Sequence, residues 1–107
     1  MLTKGNQNMR KVEILYFLWH HDKKTASTKE IAKEIGLSRQ AIRTACLFLA
    51  SWNYINMQRV RVNPRGKKSL FWTIKPTPNA MKKIKYLIER DYGEEIDTEE
   101  YLNAANS

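Results

Sequence analysis

Apolar residues recur at helical spacing in the first part of the chain. From Asn8 to His20, Val12, Leu15, Tyr16 and Trp19 fall three or four positions apart while Arg10, Lys11 and Glu13 lie off that face, which predicts an amphipathic helix. Ile14, Phe17 and Leu18 widen the apolar sector beyond one stripe, so this helix is either central to the core or also buried against a second subunit. His21-Asp22-Lys23-Lys24 breaks the pattern and reads as a solvated connection. Ser27-Thr28-Lys29-Glu30 is a capping box that starts a second, two-turn helix with Ile31, Ala32 and Ile35 inward and Gly36 at its end. Ser38 can cap a third helix whose inward positions are Ile42, Ala45, Cys46, Leu49 and Trp52, with Asn53 as a left-handed terminator.

The period then changes from helix to strand. Tyr54 to Val62 is rich in β-branched and apolar residues, and Ser69 to Ile74 alternates Leu70, Trp72 and Ile74 with Ser69, Phe71 and Thr73, which predicts two antiparallel strands. Ile55 and Met57 point one way and Val60 and Val62 the other, which predicts a bulge or twist near Gln58. Asn63-Pro64-Arg65-Gly66 is turn chemistry between the strands. Thr77-Pro78 opens a fourth helix with Ala80, Met81, Ile84, Leu87 and Ile88 inward up to about Tyr92. Beyond Gly93, Asp97-Thr98-Glu99-Glu100 forms another capping box, with Ile96 and Tyr101 as its hydrophobic staple. The fold class expected is mainly α with a small β-hairpin, α+β, in one domain over 1–90 followed by an acidic tail, 91–107, that can form a short helix.

Charge changes the picture from fold to partner. The fifty-four residues from Ile35 to Ile88 hold no acid and eleven of the nineteen Lys and Arg. Residues 1–90 carry a formal +14 and 91–107 carry −6, which together make the +8 of the chain. A segregated positive field attracts polyanions, whereas charge serving solubility alone is interspersed. With 107 residues, 42% hydrophobic and 28% charged, the composition is that of one folded domain. No apolar run approaches the ~20 residues that span a bilayer, so a membrane partner is not expected and a cytoplasmic, nucleoid-associated location is. The single cysteine, Cys46, excludes an intrachain disulfide and reads as a core residue.

Helix, helix, glycine turn, helix and basic hairpin, in that order, resemble the winged helix-turn-helix superfamily and are similar to MarR-like and PadR-like regulators. The resemblance rests on Ile31-Ala32, Gly36-Leu37-Ser38, Ile42, Leu49, Asn53-Tyr54-Ile55 and Phe71-Trp72-Thr73-Ile74, and covers most of the chain. Asn53 stands where many members have glycine, and a full second dimerisation helix is not evident. The resemblance implies a winged helix-turn-helix with an additional C-terminal helix, and a homodimer that binds double-stranded DNA as a transcriptional regulator.

The residues themselves point to the same partner. With Ile42, Ala45, Cys46 and Leu49 inward, Arg39, Gln40, Arg43, Thr44 and Leu47 project outward on a helix that fits the ~12 Å major groove. Arginine can donate twice to guanine and glutamine can pair with adenine, so Arg39, Gln40 and Arg43 are the candidate base readers. Ser38 and Thr44 suit phosphates or one base edge, while Leu47 suits a thymine methyl or a partner subunit. Arg59, Arg61, Arg65, Lys67 and Lys68 concentrate charge on the hairpin, where the tip can enter a minor groove and the shoulders can grip phosphates; lysines there also guard an edge strand. Ser27, Thr28 and Lys29 offer amides and a positive dipole end to a phosphate.

His20-His21-Asp22 lacks further ligands and reads as surface, so no metal and no cofactor are expected. No nucleophile, base and oxyanion-donor set is present, so the chain does not read as an enzyme. Trp19, Trp52 and Trp72 read as core anchors. Two other jobs fit the same residues: a plasmid-partition, replication-origin or chromatin-organising protein, or an RNA- or protein-binding winged helix whose acidic tail meets a protein partner.

Overall fold

Eighteen residues, Thr3–His20, form α1, and the computed structural model describes residues 3–61, 66 and 68–106, with the side chains of 10–61, 66 and 68–105. The helix starts five residues before the first predicted position because backbone hydrogen bonding continues through Thr3 to Gln7, which carry no apolar period. Ile14, Leu15 and Leu18 are fully buried, and Val12 and Trp19 nearly so. Tyr16 and Phe17 pack against the same cluster. The wide apolar sector of α1 is therefore used largely within one chain, since the helix touches α4 on one side and α2, α3 and the sheet on others.

After a 3-10 turn at Asp22–Lys24 come strand β1, Thr25–Ser27, and α2, Thr28–Ile35. Ser27 Oγ accepts from the Glu30 amide at 3.1 Å while Glu30 Oε1 accepts from the Ser27 amide at 2.9 Å, the capping box read from the sequence. That amide, above all, holds the Glu30 carboxyl below its ordinary value of 4.5 against a smaller opposing effect of burial, and His21 Nε2 lies 3.4 Å from Glu30 Oε2. A carboxyl whose folded value is lowered adds stability above 4.5 that is lost as pH falls through the folded value. The melting-temperature advantage of the native chain over Glu30→Gln is therefore expected to shrink as pH is taken from neutral to below 4.5 in calorimetry. Gly36 closes α2 at φ 81°, a left-handed conformation open to glycine without strain.

Helix α3, Arg39–Ser51, starts from Ser38, whose Oγ accepts the Ala41 amide at 3.1 Å, and buries Ile42, Cys46 and Leu49. Trp52 corrects the sequence reading. It was expected on the buried face but is 50% exposed. It is the C-cap residue, at φ −88° and ψ 3°, where the chain turns toward the sheet through Asn53 at φ 66°, so its side chain is carried past the core. There it meets Phe48 and Tyr54 at ring centroid distances of 6.3 and 5.9 Å. Trp19 and Trp72 are buried as expected.

Strands β2, Ile55–Arg61, and β3, Lys68–Ile74, form the hairpin, and β1 adds a third strand in the order β1-β3-β2. β1 was not foreseen, because Thr25-Ala26-Ser27 is too short to show a period of two. The bulge expected near Gln58 is absent: β2 pairs with β3 without a break from Ile55↔Ile74 to Arg61↔Lys68. Regular alternation puts Ile55, Met57, Arg59 and Arg61 on one face. The apolar pattern shifts because the inner end of the strand sits on the core while its outer end projects beyond it, with Ile55 buried and Met57 exposed. The turn at Asn63, Pro64 and Arg65 lies outside the described residues.

Helix α4, Pro78–Tyr92, is capped by Thr77, lays Ala80, Met81, Ile84 and Ile88 into the core, and ends at left-handed Gly93. The acidic segment then returns to the body of the domain. Ile96 is buried, and the Asp97 carboxylate accepts from the Glu99 amide at 3.1 Å at the start of α5, Thr98–Asn106. The Tyr101 hydroxyl donates to the Ile74 carbonyl at 2.6 Å, and its ring meets Trp19 edge-on at 5.9 Å. Glu94 accepts from the Tyr16 hydroxyl at 2.7 Å, which raises that phenol above its ordinary value, and also pairs with His20.

Candidate nucleic-acid interface

The outward residues of α3 and the emerging hairpin are the two walls of one groove. Its volume is about 1020 Å³. Arg39, Gln40, Arg43, Thr44 and Leu47 line one wall, Gly66, Lys68, Ser69, Leu70 and Phe71 line the other, and Ser27, Thr28 and Lys29 close the end. Residues more than forty positions apart in sequence, such as Ser27 and Phe71, meet because the β1-β3 pairing brings the start of α2 against the root of the wing. Among the described residues, no carboxylate lines it. Arg39, Gln40 and Arg43 are exposed, and among the described residues no hydrogen bond or ion pair engages their side chains. The geometry therefore offers two arginines and an amide on a rigid helix, with a lysine facing them from a strand.

Of the residues singled out from the sequence, Ser27, Thr28, Lys29, Arg39, Gln40, Arg43, Thr44 and Lys68 come together here. Ser38 stands outside the groove lining, its hydroxyl oxygen occupied by the α3 cap. Arg59 and Arg61 are exposed on β2, across the hairpin from Leu70 and Lys68, and do not line the groove. Arg65 and Lys67 lie outside the described residues. The hydroxyls of Ser27 and Thr28 are also in use: Ser27 caps α2, and Thr28 Oγ1 accepts from Trp72 Nε1 at 2.8 Å and donates to the Leu70 carbonyl at 3.3 Å. Lys29 is exposed at this end of α2, and the Ser27 amide is taken by Glu30 Oε1. Ser69, Leu70 and Phe71 were read only as strand residues; their place in the lining follows from strand pairing, which no local pattern reveals.

Burial pushes the Cys46 thiol up to about 12, so it is not a nucleophile near neutral pH. Among the described residues, no group of three or more His, Cys, Asp or Glu is placed to hold a metal, and no helix is long and apolar enough to cross a membrane.

No protein-family model and no curated protein sequence matches the chain. Solved structures do. ZitR of Lactococcus lactis, a mutant in apo form, superposes with TM-score 0.62 at 19% identity, covering 99% of this chain and 72% of that one. The fold is a MarR-like winged helix. AbsC, a MarR family transcriptional regulator from Streptomyces coelicolor, matches with TM-score 0.61 at 13% identity over 98% of this chain and 72% of its own. Sco3205, a MarR family transcriptional regulator from the same organism in complex with DNA, matches with TM-score 0.57 at 11% identity over 92% and 62%. At these identities the likeness is one of fold. In winged-helix terms α2 and α3 are the helix-turn-helix, and β2 and β3 are the wing.

Proposed function

We propose that this winged helix binds double-stranded DNA sequence-specifically, as a homodimeric transcriptional regulator. The observation that carries this is the carboxylate-free groove between α3 and the wing, where Arg39, Gln40 and Arg43 stand exposed opposite Lys68. α3 enters the major groove with these three side chains toward base edges, and the wing lies across the neighbouring backbone or minor groove. The space between them takes one sugar-phosphate strand, with Lys29 at its end. Two copies read a palindrome when their α3 helices stand about one turn, ~34–36 Å, apart.

Selection from random duplexes is expected to return an inverted repeat; recovery of no common motif would sink the proposal. A second measurement separates positioning from reading. Lys68→Ala is expected to weaken all duplexes alike and to reduce the slope of log affinity against log salt by about 1, because one phosphate contact releases about one counterion. An altered base preference in that variant would instead place Lys68 among the readers.

A further inference from the structure

The register of the small sheet ends abruptly beside the groove. β1 and β3 pair as Thr25↔Thr73, Ala26↔Trp72 and Ser27↔Phe71, so the next rung would join Thr28 to Leu70. The backbone cannot form it, since Thr28 is the first residue of α2 and the chain turns away. The side chain takes its place. Thr28 Oγ1 donates to the Leu70 carbonyl at 3.3 Å, supplying the hydrogen bond that a continued strand would have made. The same oxygen accepts from Trp72 Nε1 at 2.8 Å, and Trp72 is fully buried. A buried indole N–H needs an acceptor, and a hydroxyl can accept from it while donating elsewhere.

We infer that Thr28 is the positioning residue that sets the wing against the recognition helix and so fixes the width of the groove. Beyond Leu70, β3 loses its β1 neighbour and keeps only β2, so the wing leaves the body of the domain at this rung. On the other side, Thr28 begins the helix that leads through Gly36 to α3. Both walls of the groove therefore diverge from one hydroxyl, and Leu70 and Thr28 themselves line it. A hinge between two strands alone would let the wing swing about its twisted ribbon; a bond from α2 to the Leu70 carbonyl ties it down.

Thr28→Val keeps the shape and removes both hydrogen bonds. Thr28→Ser keeps the hydroxyl. Spin labels on cysteines introduced at Thr44 and Gln58, one on α3 and one on the wing, report the separation of the walls in the free protein. The distance distribution is expected to broaden or shift in Thr28→Val and to return in Thr28→Ser. Because the valine strands the Trp72 N–H, Thr28→Val/Trp72→Phe removes that donor as well, and Trp72→Phe alone, which keeps the Leu70 bond, is its reference. An unchanged distribution in both valine variants overturns the inference.

The consequence for DNA rests on the function proposed above and is read separately. With the selected duplex, affinity of Thr28→Val is expected to fall about tenfold, with a salt slope shallower by about 1–2 as wing phosphates are lost. Base preference under α3 is expected to persist, and Thr28→Ser to restore the slope. A tighter wing that contributes no binding would leave slope and affinity unchanged while the distances still move, which overturns the role in binding. Failure of the native chain to bind any duplex sinks the proposed function but leaves the spin-label result standing.

Discussion

Arg39→Ala/Arg43→Ala is expected to cut discrimination between the selected duplex and a scrambled one sharply while leaving the fold intact. Both side chains are exposed on α3, away from the Ile42, Cys46 and Leu49 line, so their loss opens no cavity. A surface change of this kind shifts stability by about 0.5 kcal/mol or less. If each arginine makes one bidentate pair, worth ~1–3 kcal/mol, the double variant loses about thirtyfold or more in specific affinity. Binding to scrambled DNA should fall much less, through the loss of two positive charges. Fluorescence anisotropy with both duplexes at matched salt measures the two effects together. Equal losses on both duplexes would show that these arginines serve only as charge, and would move base reading elsewhere.

Trp72→Ala is expected to produce the largest loss of stability of any single core truncation in this chain. Among the described residues the indole is the largest fully buried side chain, and it sits on the central strand of the sheet. Truncation removes its transfer free energy and leaves a cavity that the rigid surroundings fill only partly, together about 3–5 kcal/mol. It also strips the Thr28 hydroxyl of its donor. Against a domain stability of roughly 5–15 kcal/mol, this is a large fraction. A melting-temperature fall on the order of 12 °C or more follows from about 4 °C per kcal/mol for a domain near this size. Trp52→Ala is the control that separates burial from residue type. Trp52 is 50% exposed at the end of α3, so its truncation should cost far less. Thermal denaturation followed by circular dichroism compares the two, and equal losses would contradict the burial difference.

These two tryptophans also show where local pattern was a good guide and where it failed. Trp72 shares one face of its strand with Leu70 and Ile74, and a strand with one buried face has no other way to place it. Trp52 continues the three-to-four spacing of Ile42, Ala45, Cys46 and Leu49, yet the helix ends there and the next residue turns left-handed. Periodicity describes a helix without end; only the packed chain shows which turn still faces the core. The missing bulge at Gln58 has the same origin, because the apolar pattern shifted where β2 ran past the core rather than where its backbone bent.

The candidate interface divides in a similar way. Arg39, Gln40, Arg43 and Thr44 were legible because one helix with a known inward line has a known outward line. Lys68 was legible as charge on a hairpin, but its place opposite α3 was not. Arg59 and Arg61 carry the same charge and lie outside the groove lining, a distinction that depends on how the hairpin leaves the domain. Thr28 was legible as the start of a helix, and its two hydrogen bonds join it to residues more than forty positions away.

The sequence by itself determined the order of helices, the caps at Ser27, Ser38 and Thr77, the left-handed stops at Gly36 and Asn53, the interruption at Gly93, and the separation of positive from negative charge along the chain. All of these follow from interactions within a few residues, or from counting. Only the tertiary structure decided that α1 would be central, that three residues around Ala26 would complete a sheet, and that the acidic segment would pack back through Ile96 and Tyr101. It alone also placed the two positive elements on either side of one groove. Those outcomes depend on contacts between distant segments, whose formation is governed by the shape of the whole core and leaves no periodic trace in any one stretch.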